Sequence, residues 1–207
     1  GGHNALFNEV SWFYPQNSVD QIDRIVTYNY LEQVWTTGTL DRTSWANADI
    51  FDLPFATQLD ESNPPDFPTI NGVSNGRSVL YEQETGTNQV RSFTTGTVTT
   101  AISSSIRSGD FDLDVDGDGQ YYMSVRRFIP DFKNLNGTAN VTIYLRSFPN
   151  DTATGSPLGP FTVSTSTQQV WTRARSRLAS FEVAADELNG TWRYGLFRFD
   201  SRPDGMR

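Results

Sequence analysis

Short runs in which apolar and polar residues alternate fill the beginning of the chain, and turn-forming residues separate them. Four such runs come first: residues 8–15 (NEVSWFYP), 21–30 (QIDRIVTYNY), 34–40 (VWTTGTL) and 41–45 (DRTSW). Alternation with a period of two is typical of strands that bury one face, and the connections have hairpin length. The pattern therefore predicts an up-and-down antiparallel meander with the form of a four-stranded propeller blade.

A long surface excursion is predicted to follow the meander. Residues 57–77 contain three prolines and two glycines, and turn-forming residues dominate the segment. Residues 78–85 (SVLYEQET) return as a strand. Together these elements are predicted to form a first domain, residues 1–95, that resembles part of a β-propeller.

The rest of the chain, residues 96–207, is predicted to be a β-sandwich. Its first segment is rich in serine and threonine, and β-branched threonine favours a strand over a flexible linker. Seven strand-like segments follow: residues 111–115, 120–132, 139–148, 159–165, 168–176, 178–184 and 191–200. Short strands separated by glycine, asparagine and proline turns are typical of an antiparallel, jelly-roll-like sandwich. The predicted fold class is therefore all-β, a blade-like meander followed by a sandwich.

Composition agrees with strands and removes several kinds of chemistry. The 14 Phe, eight Tyr and five Trp suit pleated sheets, and the absence of cysteine excludes disulfides, thiolate zinc sites and cysteine nucleophiles. No apolar run approaches the length of a membrane span, so none is expected. A net charge of −8 argues against a general grip on nucleic acid.

The charge is unevenly distributed. Residues 1–110 contain five basic and 13 acidic residues, whereas residues 111–207 contain 11 of each. Lys133 is the single lysine, and the other basic residues are arginines. Arginine is favoured at interfaces because its rigid, weakly hydrated guanidinium forms planar ion pairs.

The stretch FDLDVDGDG, residues 111–119, places an aspartate at every second position. The simplest interpretation is a strand that points its apolar residues inward and Asp112, Asp114 and Asp116 outward, followed by a tight turn. An EF-type calcium loop needs a glutamate at its twelfth position, where this chain has Met123 or Val125. No cofactor is therefore expected, although a looser calcium site stays open at Asp114, Asp116 and Asp118.

Catalysis by these aspartates has weak support. Aspartates two apart on a strand lie roughly 7 Å from each other, within the range that glycoside hydrolysis uses. Such a pair also needs contrasting environments, and the sequence supplies nothing that would raise one pKa selectively. The single histidine, His3, lies in a terminus that is predicted to fray, and Glu82 and Glu84 resemble solvated or interface charges. We expect no catalytic residue and no enzyme.

The segment TRARSR places Arg173, Arg175 and Arg177 on one face of a strand. Three guanidinium groups in a row repel one another unless acids or phosphates face them. A nucleic-acid contact and a subunit interface both fit. The acidic whole favours an interface in which these arginines meet a partner's aspartates, such as the row Asp112, Asp114 and Asp116.

Two aromatic runs and one arginine pair leave further alternatives open. The aromatic residues of 10–15 and 191–199 could stack on sugars, but aromatic residues in alternating strands are usually core residues. Arg126 and Arg127 are adjacent in sequence, so they are predicted to face opposite ways, with one of them paired with an acid.

Several of these segments resemble tail proteins of short-tailed bacteriophages. Residues 3–45 contain E-V-x-W-F-Y-P, I-D-R-x-V-x-Y-N and V-W-x-x-G-x-L-x-R-T-x-W, which are similar to the last propeller repeat of those proteins. SVLYEQETGTN and the later SGDFDL and DGQYYMSVRRFIPDF extend the resemblance to residue 132, and it continues weakly beyond. The family is the tail nozzle, or packaged-DNA stabilisation, type.

The resemblance implies a structural role. Such proteins form a ring, usually a hexamer, that extends the portal channel, contacts adaptor, fibre and needle proteins, and lets genomic DNA pass without sequence-specific binding. The chain is then expected in the virion tail, assembled in the host cytoplasm. A complete nozzle protein is several times longer, so this chain would correspond to a carboxy-terminal portion or to a product that is encoded or cut separately. The alternative is a carbohydrate-binding or host-recognition sandwich module, with calcium as an aid.

Overall fold

The computed structural model describes residues 1–16, 21–48, 51–60, 77–93, 96–113, 121–151 and 156–206. All elements of regular secondary structure in those ranges are strands, and the paired strands are antiparallel. The predicted all-β class is therefore confirmed. The chain divides into two compact units. The first comprises Gly1–Gly86 and Phe93–Thr95, and the second comprises Thr87–Ser92 and Gly96–Arg207.

The first unit begins with a four-stranded meander. Its strands are β1 (Gly2–Asn4), β2 (Glu9–Tyr14), β3 (Arg24–Asn29) and β4 (Val34–Thr39), and each pairs with the next in chain order. The terminus predicted to fray is therefore the first strand of the sheet. The comparison of this meander with a propeller blade stays a prediction.

A second sheet of the first unit contains β5 (Ser44–Ala46), β6 (Phe55–Asp60) and β7 (Arg77–Glu82). The predicted run 41–45 thus contributes to this sheet and not to the meander. Strand β6 also includes the first residues of the predicted excursion, because Ala56 and Gln58 alternate into the interior of the unit. The remainder of that excursion, residues 61–76, lies outside the described residues.

The two sheets of the first unit meet around the Trp45 indole. Phe13 of β2 packs against it with ring centroids 5.4 Å apart, and Gly2 lies so close that a Cβ would come within 2.4 Å of the indole. The hydroxyls of Ser11 and Thr27 form a buried hydrogen bond of 2.8 Å beside them. This interior fixes which side of the meander faces inward.

The second unit is a β-sandwich. Its larger sheet has the order β10 (Ser104–Arg107), β16 (Leu178–Ala185), β13 (Ala139–Arg146) and β14 (Ser156–Val163). Its smaller sheet has the order β15 (Val170–Ser176), β11 (Tyr121–Ile129) and β18 (Arg198–Met206). Two two-stranded sheets complete the unit: β12 (Phe132–Asn136) with β17 (Thr191–Tyr194), and β8 (Asn88–Phe93) with β9 (Gly96–Ala101).

The core of the sandwich lies between the larger and smaller sheets. Met123, Val125 and Phe128 enter it from β11, and they are between 0% and 1% exposed. Phe128 meets Phe161 and Phe181 of the opposite sheet edge-on, at centroid distances of 5.9 and 6.4 Å. The opposite face of the smaller sheet is exposed, as the alternating burial of β15 shows.

One predicted strand, residues 191–200, is two strands in the structure. The chain turns between β17 and β18, where the Gly195 amide donates to the Asp131 carbonyl at 2.7 Å. The Leu196 amide donates to the Asp131 carboxylate at 3.1 Å. These hydrogen bonds stabilise the turn. The alternation of apolar and polar residues continues through residues 191–200, so the sequence pattern did not predict a break there.

Candidate functional surfaces

Exposed aromatic rings share the outward side of the meander. The register places Trp12 opposite Val26 and Tyr28 opposite Trp35, and these two rows lie on the same side of the sheet. Trp12 and Trp35 stack with centroids 5.9 Å apart, and Tyr28 lies 4.6 Å from Trp35. Trp12 is 44% exposed and Trp35 is 60% exposed. We call this surface, with Trp12, Tyr14, Tyr28 and Trp35, the aromatic face.

A shallow polar groove of about 400 Å³ borders the aromatic face. Arg24 crosses it, with Nη1 donating to the Thr39 hydroxyl at 2.9 Å and Nε donating to the Gln16 side-chain oxygen at 3.0 Å. Tyr14 and Thr37 form parts of its wall. The groove therefore combines an aromatic flank with hydrogen-bonding groups that are already held in place.

Aromatic residues of alternating strands were expected to belong to the core. This is correct for the run at residues 191–199 and only partly correct for the run at residues 10–15. Phe13 points inward, whereas Trp12 and Tyr14 on the same strand are exposed. In the second unit, Trp192 and Phe197 pack against the core, as expected. The period of two marks which residues share a side, but it cannot say which side is buried.

The predicted arginine row lies on the solvent side of the smaller sandwich sheet. Thr172, Ala174 and Ser176 are buried, and Arg173 and Arg175 between them are exposed, so the predicted alternation of β15 is confirmed. Arg177 follows directly after the strand and is half-buried.

Tyr122 of β11 brings two of these arginines together. The guanidinium carbons of Arg175 and Arg177 lie 4.3 and 4.9 Å from the centre of its ring. Arg175 also forms an ion pair with Asp204 of β18, with an Nε–Oδ2 distance of 2.5 Å. Contact with an aromatic ring and an acid stabilises neighbouring guanidinium groups that would otherwise repel one another.

A β-bulge adds two more arginines to the same side. The register of β11 shifts between Val125 and Arg127, and the Thr172 hydroxyl donates to the Val125 carbonyl there at 2.7 Å. The prediction that Arg126 and Arg127 face opposite ways is wrong, because the bulge inserts both between buried Val125 and buried Phe128.

Arg127 is paired with an acid, as predicted. Its Nε lies 3.6 Å from the Asp200 carboxylate, and its Nη1 donates to the Gln169 side chain at 2.8 Å. Its guanidinium also lies 5.5 Å from the ring of Trp171, which is 65% exposed. The aromatic ring and the ion pair together hold this arginine at the surface.

We call the solvent side of the smaller sheet the arginine face. Its arginines include Arg126, Arg127, Arg173, Arg175, Arg177 and Arg202. Arg202 lies 4.0 Å from Asp200, which already faces Arg127. Among the described residues, the acids that pair with this face are Asp200 and Asp204, so the surface is strongly cationic.

The predicted aspartate row is only partly described. Phe111 forms an isolated bridge with Ala179 of β16, and Phe111 and Leu113 pack against the core, as predicted. Asp112 lies between them in sequence and is half-buried. Asp114, Asp116 and Asp118 lie outside the described residues. Within the described ranges, no group of three His, Cys, Asp or Glu side chains could hold a metal ion.

Three carboxylates meet at one end of the first unit. Strand β7 ends at Glu82, and Glu84 follows in the left-handed conformation (φ 63°), so the two glutamates do not share one strand face. Glu84 accepts a hydrogen bond of 3.2 Å from the buried Asn4 side chain. We call Glu9, Glu32 and Glu84 the carboxylate cluster.

The carboxylates of this cluster repel one another. Burial raises the pKa of Glu9 above its ordinary value, and the charges of Glu84 and Glu32 raise it further. Burial also raises the pKa of Glu84, although its hydrogen bond from Asn4 opposes the change. The sequence alone does not reveal the cluster, because only the strand register brings residues so distant in sequence together.

The single histidine belongs to β1. The His3 amide donates to the Asn47 side chain at 3.0 Å, and the imidazole stacks on Tyr30 with centroids 6.3 Å apart. His3 therefore lies near the edge of the meander.

An apolar cavity of about 260 Å³ opens between β10 and β18. Phe111, Phe181 and Phe199 contribute to its lining, together with Tyr194. Burial raises the pKa of the Tyr194 phenol, and the Asp131 carboxylate adds to the effect. The lining is suited to contact with an apolar group.

No protein-family model matches the chain, and no curated protein matches it. Across the described residues, there is no helix with the length and apolar character needed to cross a membrane. The two surfaces and the carboxylate cluster therefore carry the functional argument.

Proposed function

We propose that this chain is a structural subunit in the tail of a short-tailed bacteriophage, of the nozzle type that retains packaged DNA. It acts by assembling with copies of itself into a ring and with neighbouring tail proteins, and it catalyses no reaction. The aromatic face carries the proposal. It belongs to the meander that contains the E-V-x-W-F-Y-P and I-D-R-x-V-x-Y-N motifs of the resemblance.

The exposed indoles of the aromatic face favour binding of another protein surface over them. Monomeric proteins rarely expose contiguous apolar patches of large side chains, and such patches usually mark contacts. Covering the exposed half of Trp12 and Trp35 would remove roughly 250 Å² of apolar surface from water, which corresponds to about 6 kcal/mol before the costs of association. A neighbouring sheet, such as an adjacent propeller blade, supplies a surface of the right shape.

The first test measures assembly directly. We expect native mass spectrometry and electron microscopy of the full chain to show rings of defined copy number, and we expect Trp12→Ser with Trp35→Ser to weaken association at least tenfold. Leu188→Ser, at an exposed leucine of the second unit, is the matched control. Assembly of the double variant at the strength of the unaltered chain would contradict the proposal, provided that circular dichroism shows both to be folded.

A carbohydrate-binding or host-recognition function is the second candidate. The stacked Trp12 and Trp35 rings lie beside a groove that contains Gln16, Arg24 and Thr39, and sugar sites combine aromatic stacking with such polar groups. This function predicts binding on a glycan array that is lost in Trp35→Ala. Loss of the same binding in the presence of a chelator would add calcium to the site.

A further inference from the structure

The two units differ strongly in net charge. Residues 1–86 contain 12 acidic and three basic residues, a net charge of −9, whereas residues 87–207 contain 12 acidic and 13 basic residues, a net charge of +1. The arginine face concentrates the positive charge of the second unit on one sheet. Each copy of the chain therefore has one acidic region and one strongly cationic surface.

Part of the arginine face is not neutralised within the chain. Arg175 is paired with Asp204 and Arg127 with Asp200, but Arg126 and Arg173 have no ion-pair partner among the described residues. Both are exposed. A guanidinium group presents a planar fork that matches a carboxylate in two parallel hydrogen bonds, so the surface favours an acidic partner.

The carboxylate cluster has the complementary property. Glu9 lies opposite Asn4 in the β1–β2 register, and the Asn4 side chain donates to Glu84 at 3.2 Å. On the other side, Glu9 lies opposite Asn29, whose side chain accepts a bond of 2.9 Å from the Glu32 amide. In the described part of the chain, none of the three forms an ion pair with an arginine. A cationic partner would relieve the repulsion within the cluster.

We propose that the arginine face of one copy binds the carboxylate cluster of the next copy. The inference rests on the proposed self-association and names the surfaces that meet. Because the two surfaces differ, the contact is heterologous, and contacts of this kind produce closed rings or open filaments and not isolated two-fold dimers.

Nucleic acid is the other class of anion that arginines bind. The net charge of −8 repels the phosphates of nucleic acid at long range. A second copy of the chain, in contrast, supplies one carboxylate cluster for every arginine face. The observations therefore favour an acidic protein surface, and nucleic-acid binding becomes an outcome of the test.

The experiment compares two charge-reversed full chains by mass photometry over a range of concentrations. Arg126→Glu with Arg173→Glu removes the unpaired charges and leaves the Tyr122 contacts intact, and we expect it to weaken association at least tenfold. Lys133→Glu with Arg193→Glu, on the β12–β17 pair, makes the same change in net charge elsewhere and is expected to associate normally. Circular dichroism establishes that each variant is folded.

Complementation tests the partner surface. Glu32→Lys with Glu84→Lys should also associate weakly alone, because its carboxylate cluster is reversed. Mixed with the Arg126→Glu, Arg173→Glu chain, it should form mixed assemblies, since each chain retains the surface that the other has lost. Absence of mixed assemblies would overturn the assignment of the carboxylate cluster.

The outcomes separate this inference from the proposed function. An unaltered chain that associates, with an arginine variant that associates equally well, would overturn the inference and leave the structural role standing. An unaltered chain that is monomeric at every concentration would overturn both. Binding of a labelled oligonucleotide that is lost in the arginine variant, with normal self-association, would assign the face to nucleic acid.

Discussion

At the scale of single residues, Glu84 shows how a charge can oppose the fold that holds it. Its side chain accepts a bond from buried Asn4 and lies near Glu9, whose pKa it raises. Burial raises the pKa of Glu84 itself above 4.5. The folded state therefore favours the protonated carboxyls more than the unfolded chain does.

The sign of the pH effect follows from these raised pKa values. A carboxyl whose folded pKa exceeds its unfolded value contributes stability below the unfolded pKa, and this contribution is lost as the pH rises through the folded pKa. We expect Glu84→Gln to be more stable than the unaltered chain at pH 7, and the difference to fade below about pH 4. Urea denaturation of dilute protein at both pH values measures it.

The control makes the same change in charge at a glutamate outside the carboxylate cluster. Glu82→Gln lies two residues earlier, at the end of β7, and should shift the midpoint of denaturation less. If both variants gave the same shift at pH 7 and at low pH, the effect would come from net charge and not from the carboxylate cluster.

At the scale of elements, β11 joins the core to the arginine face. Phe128 is fully buried and contacts three rings, Phe161, Phe181 and Phe197. We expect Phe128→Ala to lower the free energy of unfolding of the second unit by about 3–5 kcal/mol, because it removes apolar contacts and leaves a cavity. Chemical denaturation measures the loss.

The neighbouring residue provides the comparison for this change. Ile129 is 38% exposed, so Ile129→Ala should cost about 1 kcal/mol or less. Equal losses in the two variants would mean that β11 is not anchored by the ring cluster around Phe128.

Elements with regular alternation could be predicted from the sequence, and elements set by register could not. β15 followed its period of two, which placed Arg173 and Arg175 on one face. The bulge in β11 broke the same rule at Arg126, because the extra residue is accommodated by the Thr172 hydroxyl on a neighbouring strand. Sequence distance hides such a partner.

The candidate surfaces show the same division. The arginine row was visible in TRARSR, but Tyr122, which contacts it, lies on the neighbouring strand β11, and Asp204 lies on β18 beyond β11. The carboxylate cluster draws its members from positions 9, 32 and 84, so only the folded register reveals it.

At the scale of the whole molecule, salt should distinguish the contribution of the arginine face to self-association from that of the aromatic face. The Debye length falls from about 10 Å at 0.1 M ionic strength to about 3 Å at 1 M, so exposed charge contacts weaken while apolar contacts do not. We expect self-association through the arginine face to weaken roughly tenfold between about 0.05 and 0.5 M salt. Sedimentation velocity across this range measures the change.

The variants refine that result. The Arg126→Glu, Arg173→Glu chain should lose most of its salt dependence, and the Trp12→Ser, Trp35→Ser chain should retain it. An association that strengthens with salt in the unaltered chain would mean that apolar contact through the aromatic face dominates assembly.

The placement of the tryptophans gives each surface its own optical label. Trp12 and Trp35 stand in water on the aromatic face, and Trp171 stands in water on the arginine face. An indole that leaves water emits at shorter wavelength. Tryptophan fluorescence of one variant with Trp171→Phe, and of another with Trp12→Phe and Trp35→Phe, would therefore show which of the two surfaces a neighbouring copy covers.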